Sequence, residues 1–384
     1  MPPLLEHILL AAFTVATLVQ LFFWLYFFSG LARHPVEALP DCHSKREETA
    51  PPVSVIICAR NEAENLQRNL HRILNQSYRS FEVIVVNHKS CDNSSNVLSS
   101  LQSKHKHLVV VNCDDERKTK KVALAKGIET AKNQVLLLTD ADCEPASDQW
   151  ICGMTAGMAA QHTPVVLGVA PYWSAGKAGV KAPNPLNSFI RFETCYTAMQ
   201  YLSLSLAGWP YMGVGRNLAY RRELFYQTGG FKKHEHLASG DDDLFVNEAA
   251  KKGGVGIRIN PNTFAYSYPK KNLKEYYRQK TRHFSTGKSY QLKHQLLLGM
   301  LAMSHLLHYL IGGIFFTYKI SIMFVLLGYV VRMGVVMVIG SIILRKLQHQ
   351  ELRPWLPVLD ASLVLYYLVF APATLMNNDT QKWN

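Results

Sequence analysis

The sequence predicts an α/β protein: a doubly wound, mostly parallel sheet, with one transmembrane helix before it and three after it. Three observations carry that expectation. Short aliphatic runs alternate with stretches of helical periodicity from Pro51 to about Val169, the pattern of a parallel sheet with crossover helices. Apolar runs long enough to cross a bilayer lie at both ends of the chain. The aliphatic run that begins at Val135 stops at two carboxylates, Asp140 and Asp142, and open α/β sheets bind ligands beyond the carboxyl ends of their strands.

Composition bounds the function classes. The 384 residues leave room for a full catalytic domain and a second part. A hydrophobic share of 48% beside 18% charged residues is high for a purely soluble enzyme, and the excess lies at the two ends. The formal charge of +13 gathers beside apolar runs, as in Lys45-Arg46, Lys270-Lys271, Arg278 to Lys293 and Arg345-Lys346. That distribution suits an anionic membrane surface and not a nucleic acid, which is excluded as a partner. The seven cysteines form no Cys-x-x-Cys pair and are odd in number, so they are expected to be reduced thiols of a cytoplasmic compartment.

The first element, within residues 1–32, is an apolar run from about His7 to Leu31. No Lys or Arg precedes it and it lacks a small-residue cleavage site, so it is expected to be a retained anchor. Arg33, Lys45 and Arg46 follow it, which by the positive-inside rule places the next domain in the cytoplasm. The catalytic domain is expected over 51–270. Val53 to Cys58 is a strand, and Glu62 to Asn75 a helix through Leu66, Leu70, Ile73 and Leu74. Phe81 to Val86 is a second strand, leaving through the polar turn Asn87 to Asp92. A further helix leads to the strand His107–Asn112, and Lys120 to Lys132 is the helix before Val135. No Gly-x-Gly-x-x-Gly follows the first strand and no Gly-x-x-x-x-Gly-Lys-Ser occurs, which argues against a dinucleotide fold of the usual kind and a P-loop.

The middle third adds a strand at Pro164–Val169, a mobile loop at Ser174–Pro185, and a helix at Asn187–Leu206 whose aromatics read as core. Gly213 to Tyr220 is a glycine-rich turn into a strand, fitted to a close ligand or to a plain tight bend. Asp241, Asp242 and Asp243 stand in a row before a helix at Leu244–Lys252. They read either as the acidic start of that helix or as mutually repelling carboxylates, one of them raised enough to act as a base. His234 and His236 lack a third metal ligand at helpful spacing. Residues 271–294 look like an amphipathic helix lying in the headgroup plane, with aromatics among its Lys and Arg. Within 295–384, spans are expected at about Gln295–Tyr318, Ile320–Leu344 and Trp355–Met376. Arg332 sits mid-span, where it either pairs with Asp360 or snorkels.

Asp140 and Asp142 can cap a strand or converge on a hard cation, Mg²⁺ or Mn²⁺, that carries a diphosphate. The order of motifs decides between these. Lys120-Lys-Val-Ala-Leu124, Asp140-Ala-Asp142, Gly213-Val-Gly-Arg-Asn217, Gly240-Asp-Asp-Asp-Leu244 and Gln279-Lys-Thr-Arg282 resemble, in sequence order, the motifs of membrane-bound family 2 glycosyltransferases. That group, of GT-A fold, includes ceramide glucosyltransferase, hyaluronan synthase and cellulose synthase. The resemblance covers about Pro51 to Tyr290. It implies a nucleotide-sugar donor, with a UDP-sugar favoured, and a Mn²⁺ or Mg²⁺ cofactor held by Asp140 and Asp142. It implies donor and diphosphate contacts from Asn87, Lys120, Asp140, Gln279 and Arg282. Asp242 matches the general base, with Asp243 as the neighbouring candidate, and Asp241 and His283 fall on the acceptor side. Two positions depart from the family pattern: Asn87-His88 stands where Asp-Asp is usual, and His283 replaces a Trp. The implied activity is inverting transfer to a lipid or lipid-linked acceptor at the cytoplasmic membrane face. A processive polysaccharide synthase and a catalytically silent membrane scaffold are the alternatives.

Overall fold

The computed structural model describes residues 2–39, 50–117, 119–160, 163–174, 184–237, 239–250 and 254–375. The expectations for Cys42, Lys45-Arg46, most of the loop at 174–185, the last residues of the helix at 244–252, and Met376 fall on positions outside these. The N-terminal apolar run forms α1 (Pro3–Phe22), continues through a π-helical stretch at Phe23–Phe28, and ends in α2 (Ser29–Arg33). Proline is tolerated at the start of α1 because the first turn has no intrahelical partner for its N–H.

The α/β domain begins with β1 (Val53–Ala59), α3 (Ala63–Leu74), β2 (Phe81–His88), α4 (Ser94–Gln102), β3 (Leu108–Cys113), α5 (Lys120–Thr130) and β4 (Val135–Asp140). Every residue of β1 is buried, as befits a strand covered on both faces. The short β5 (Glu144–Pro145), α6 (Trp150–Ala160) and β6 (Val165–Leu167) follow. After them come α7 (Pro185–Leu206), β7 (Leu218–Arg221), α8 (Arg222–Gln227), α9 (Asp243–Ala249), β8 (Val255–Ile257) and β9 (Ala265–Tyr266). The seven-stranded sheet runs β3-β2-β1-β4-β7-β6-β8, parallel except that β7 lies antiparallel to both β4 and β6.

The helix expected over 271–294 is shorter: α10 spans Leu273–Phe284. Thr286 Oγ1 and Tyr290 Oη, just beyond it, donate to Asp243 at 2.5 and 2.8 Å, and these tertiary bonds compete with continuing the helix. Then come α11 (Leu292–Tyr318), α12 (Ile322–Lys346) and α13 (Leu356–Leu375). Four helical segments, 3–33, 292–318, 322–346 and 350–372, are long and apolar enough to cross a membrane. Lys346 Nζ donates to Leu31 O at 3.2 Å, so the C-terminal end of α12 and the end of the N-terminal span lie on the same side. Arg332 does not snorkel: its guanidinium meets both oxygens of Asp360, at 2.6 and 3.1 Å.

Cys58, Cys91, Cys113, Cys143 and Cys195 are free, but Cys152 is disulfide-bonded, which corrects the expectation of reduced thiols throughout. Spacing along the chain carries no information on which distant sulfurs meet in space.

Candidate active site

Strand register assembles one edge of the site. Cys58 pairs with Asp140 and Ala59 with Asn87, so β1, β2 and β4 end side by side. Asp140 is the last residue of β4, and Cys143 N returns to Asp140 O at 3.0 Å, closing the turn that carries Asp142. Because β7 runs antiparallel beside β4, the loop Gly213–Asn217 reaches the same end, where Thr139 Oγ1 donates to Arg216 O at 2.9 Å. Asp242 is the N-cap of α9, its side chain accepting from Asp243 N, so the acidic triple does open that helix.

The carboxylates Asp140, Asp142, Asp241, Asp242 and Asp243 line one cavity of about 940 Å³. Lys120 Nζ stands between two of them, 2.7 Å from Asp140 and 3.1 Å from Asp241. Burial works against its charge, but Asp140, Asp241 and Asp242 outweigh burial and hold its pKa well above the usual lysine value. Burial likewise pushes Asp241 up, and Lys120 more than offsets it, leaving that carboxyl lowered. Asp242 is different. Burial, then repulsion from Asp241 and Asp243, raises it to about 7 although Gly215 N donates to its Oδ2 at 2.7 Å. A side chain at Gly215 would place its Cβ 3.3 Å from both Asp242 Oδ2 and Lys120 Nζ, which is why the backbone alone passes here. Asp243 is also raised, by burial, yet its oxygens already accept from Leu244 N, Thr286 and Tyr290. Of the triple, Asp241 is bound to Lys120 and Asp243 accepts three hydrogen bonds, whereas Asp242 accepts from Gly215 N and Asp243 N and combines partial exposure with basicity near neutral pH.

Asp142 is raised by burial first and by Asp140 second, with Arg216 and Lys270 opposing. Two adjacent carboxylates left with this residual repulsion fit a hard divalent cation. Among the described residues no group of three or more His, Cys, Asp or Glu side chains forms a metal cage, His234 and His236 included. Such a cation would take its other ligands from diphosphate oxygens and water.

The opposite rim comes from α10. Among the described residues, Gln279 Oε1 and Arg282 Nε are both buried without a hydrogen-bond partner, and both residues line the cavity. His283 opens onto the cavity yet is ringed by protein. Burial, then the charges of Lys280 and Arg282, hold its pKa well below the usual histidine value, so it is neutral. Asn87 is buried, with Nδ2 donating to Ser95 at 3.0 Å and Oδ1 lacking a donor. Three features escaped the sequence. Arg216 lies over the Tyr172 ring, its Cζ 4.7 Å from the centroid, and faces Asp142; the Gly-Val-Gly-Arg motif contained that signal. Buried Glu193 on α7 accepts from Lys280 at 2.5 Å, Thr197 at 3.0 Å, Tyr276 at 3.3 Å and Tyr366 at 3.0 Å, and no local pattern marks it. Finally, the cavity continues past α10 to Leu298, Leu301, Ala302 and Leu306 on α11 and to Tyr366 and Tyr367 on α13.

Comparison with known proteins gives consistent matches. The sequence model "Glycosyl transferase family 2" matches residues 54–229, and "Glycosyl transferase family group 2" matches residues 179–373. Over 207 residues the chain is 27% identical to the glycosyltransferase AglE of Haloferax volcanii, covering 53% of this chain and 63% of that protein. Over 289 residues it is 26% identical to the probable glycosyltransferase YdaM of Bacillus subtilis, covering 71% and 64%. The chain thus spans just under two thirds of the length of these two curated relatives. Over 242 residues it is 23% identical to a Methanococcus voltae protein described as a dolichyl N-acetyl-alpha-D-glucosaminyl phosphate 3-beta-D-2,3-diacetamido-2,3-dideoxy-beta-D-glucuronosyltransferase, covering 59% and 70%. The solved mannosyltransferase PcManGT of Pyrobaculum calidifontis, in complex with GDP-Man and Mn²⁺, matches with a TM-score of 0.58 at 18% identity, over 93% of this chain and 98% of that one. That likeness shows a shared fold.

Proposed function

Because this chain belongs to glycosyl transferase family 2, and is a glycosyltransferase of GT-A fold, we propose that it moves a sugar from a nucleotide-sugar to a lipid or lipid-linked acceptor by an inverting, metal-dependent step. The observation that carries this reading is the continuity of the cavity, from Asp140, Asp142 and Asp242 to the apolar side chains of a membrane-spanning helix. The relative from M. voltae, named for a dolichyl-phosphate-linked substrate, supports an acceptor of this class.

Asp140 and Asp142 are the residues to hold Mn²⁺ or Mg²⁺, which when bound neutralises charge on the leaving diphosphate. Lys120, Gln279 and Arg282 bind that diphosphate, with charge from Lys120 and Arg282, the unpaired Nε–H of Arg282 as a donor, and the Nε2 amide of Gln279, not its oxygen, as the group that can donate. Asn87, buried and outside the cavity lining, is the expected donor contact that the geometry supports least. Asp242 accepts the acceptor's hydroxyl proton as that oxygen bonds to the anomeric carbon, and the bond from that carbon to the diphosphate oxygen breaks. Attack opposite the leaving group inverts the centre. Gly215 N–H orients the Asp242 carboxylate, and neutral His283 faces the acceptor from α10. With the N-terminal span before the domain and Arg33 after it, the positive-inside rule assigns the domain to the cytoplasmic face.

The test is thermal stabilisation of the purified protein by UDP, GDP and CMP, each with and without Mn²⁺. A metal-dependent shift with one nucleotide, lost in Asp142→Asn, is the expected result and names the donor class. Folded protein that responds to none of the three would overturn the reading.

A further inference from the structure

The first C-terminal span has an unusual border with the active-site cavity. Gln295, Gly299 and Met303 recur every four residues on α11, so they share one face, and all three are exposed, Met303 by 55%. All three also line the catalytic cavity. A Cβ built on Gly299 would meet no heavy atom within 4 Å. Beside this stripe runs a second one, Leu298, Ala302 and Leu306, half-buried, apolar and lining the same cavity. The site is therefore open through its side, along about 12 Å of helix at the depth of a membrane span.

The mouth of this opening is cationic. Arg278 and Lys288 line the cavity, are exposed, and have no ion pair among the described residues. Lys280 next to them is already taken by Glu193. An apolar groove in a spanning helix that ends at free cations suits a hydrocarbon chain with an anionic head.

Resting on the glycosyltransferase reading, we infer that the acceptor is a lipid with a phosphate-bearing head that enters sideways from the bilayer beside Gly299. Its chain lies along Leu298, Ala302 and Leu306. Its phosphate meets Arg278 and Lys288, and its hydroxyl end points to Asp242. The groove selects the chain, and the cations set how far the head advances.

The test uses the full chain in lipid nanodiscs with farnesyl phosphate as the probe and inorganic phosphate as the control. Farnesyl phosphate is expected to bind the wild type, and Gly299→Trp to weaken that binding about tenfold or more. The nucleotide-and-Mn²⁺ thermal shift should persist in the variant, which reports an intact donor side. A Gly299→Cys variant gives a readout that needs no bulky substitution: farnesyl phosphate should protect that cysteine from alkylation, followed by mass spectrometry at that peptide, and inorganic phosphate should not. Equal farnesyl phosphate binding in Gly299→Trp, or absence of protection at Gly299→Cys, overturns the lateral entry. Equal competition by inorganic phosphate overturns the role of the chain. Loss of the nucleotide shift in the wild type itself would instead strike the glycosyltransferase reading, while the portal would still be judged by the farnesyl phosphate arms.

Discussion

The carboxylates around Lys120 and the polar side chains around Arg332 are both withdrawn from solvent, yet they are balanced in opposite ways. Around Lys120, five aspartates share a cavity, and three of them, Asp142, Asp242 and Asp243, stay raised by burial and by neighbouring carboxylates although seven Lys and Arg side chains line the same cavity; the opposite rim keeps unpaired atoms on Gln279 and Arg282 among the described residues. Around Arg332 the charges match. Asp360 receives the guanidinium twice and Tyr309 once at 2.7 Å, while Gln20 Oε1 accepts from Arg332 at 2.9 Å and His305 Nδ1 lies 3.0 Å from it. That cluster draws one residue or more from α1, α11, α12 and α13 and, Arg332 Nε apart, closes on itself. Burial of charge alone therefore does not single out the candidate site; unsatisfied groups beside the cavity distinguish it, because such a group keeps free energy in reserve for a ligand.

Four measurements bear on that contrast. The largest effect is expected from Asp242→Asn, which should lower turnover by about 100- to 10,000-fold, the usual contribution of a general base, with thermal stability unchanged or higher. Asp360→Ala should do the reverse, costing about 3–5 kcal/mol by leaving Arg332 buried and unpaired. Transfer per folded molecule should survive, and a combined Arg332→Met, Asp360→Leu variant should recover much of the stability. If Asp360→Ala abolished transfer in protein with a normal melting temperature, the structural reading of that cluster would fail. Asp142→Asn should raise the metal-free melting temperature by relieving repulsion with Asp140. The same change should erase the metal-dependent part of nucleotide stabilisation, about 2.7 kcal/mol at a hundredfold excess over Kd.

The smallest effect is graded with pH. With Asp242 raised to about 7, kcat/KM should climb close to tenfold per pH unit below that value and level off above it. Stability should move the other way. The native state holds the Asp242 proton between the ordinary aspartate value of 3.8 and about 7, where the unfolded chain has released it, so this group's contribution falls as pH rises through that window. A flat profile across pH 6 to 8 would reassign the base, and Asp241 would be next.

Much of this was legible before any coordinates. Val135–Asp140 announced itself as a buried strand because four aliphatic residues in a row fit only a doubly covered sheet, and Asp140 with Asp142 marked its end. The four spans were readable from length and hydropathy. What stayed hidden depended on tertiary contacts. Lys120 sits at the start of a helix like any lysine, and nothing local states that it bridges Asp140 to Asp241. Glu193 looks like one acid in an aromatic-rich helix until α10 and α13 bring Lys280, Tyr276 and Tyr366 to it. The basic, aromatic pattern of 271–294 had no reason to end at Phe284 except the pull of Asp243 on Thr286 and Tyr290. Arg332 lay between two readings because sequence fixes its depth but not its neighbour.

The bonds from Thr286 and Tyr290 to Asp243, and the bond from Gln291 N to Asn247 Oδ1 at 3.1 Å, tie α9 to the entry of α11. Asp242 is one residue from that knot. The membrane helices are thus a wall of the cavity that holds the aspartates and not a tether beneath it. A chain trimmed to its sheet would keep its strands and lose the far side of its chamber. By the same linkage, a vertical shift of α11 would be transmitted to α9, whose N-cap is Asp242.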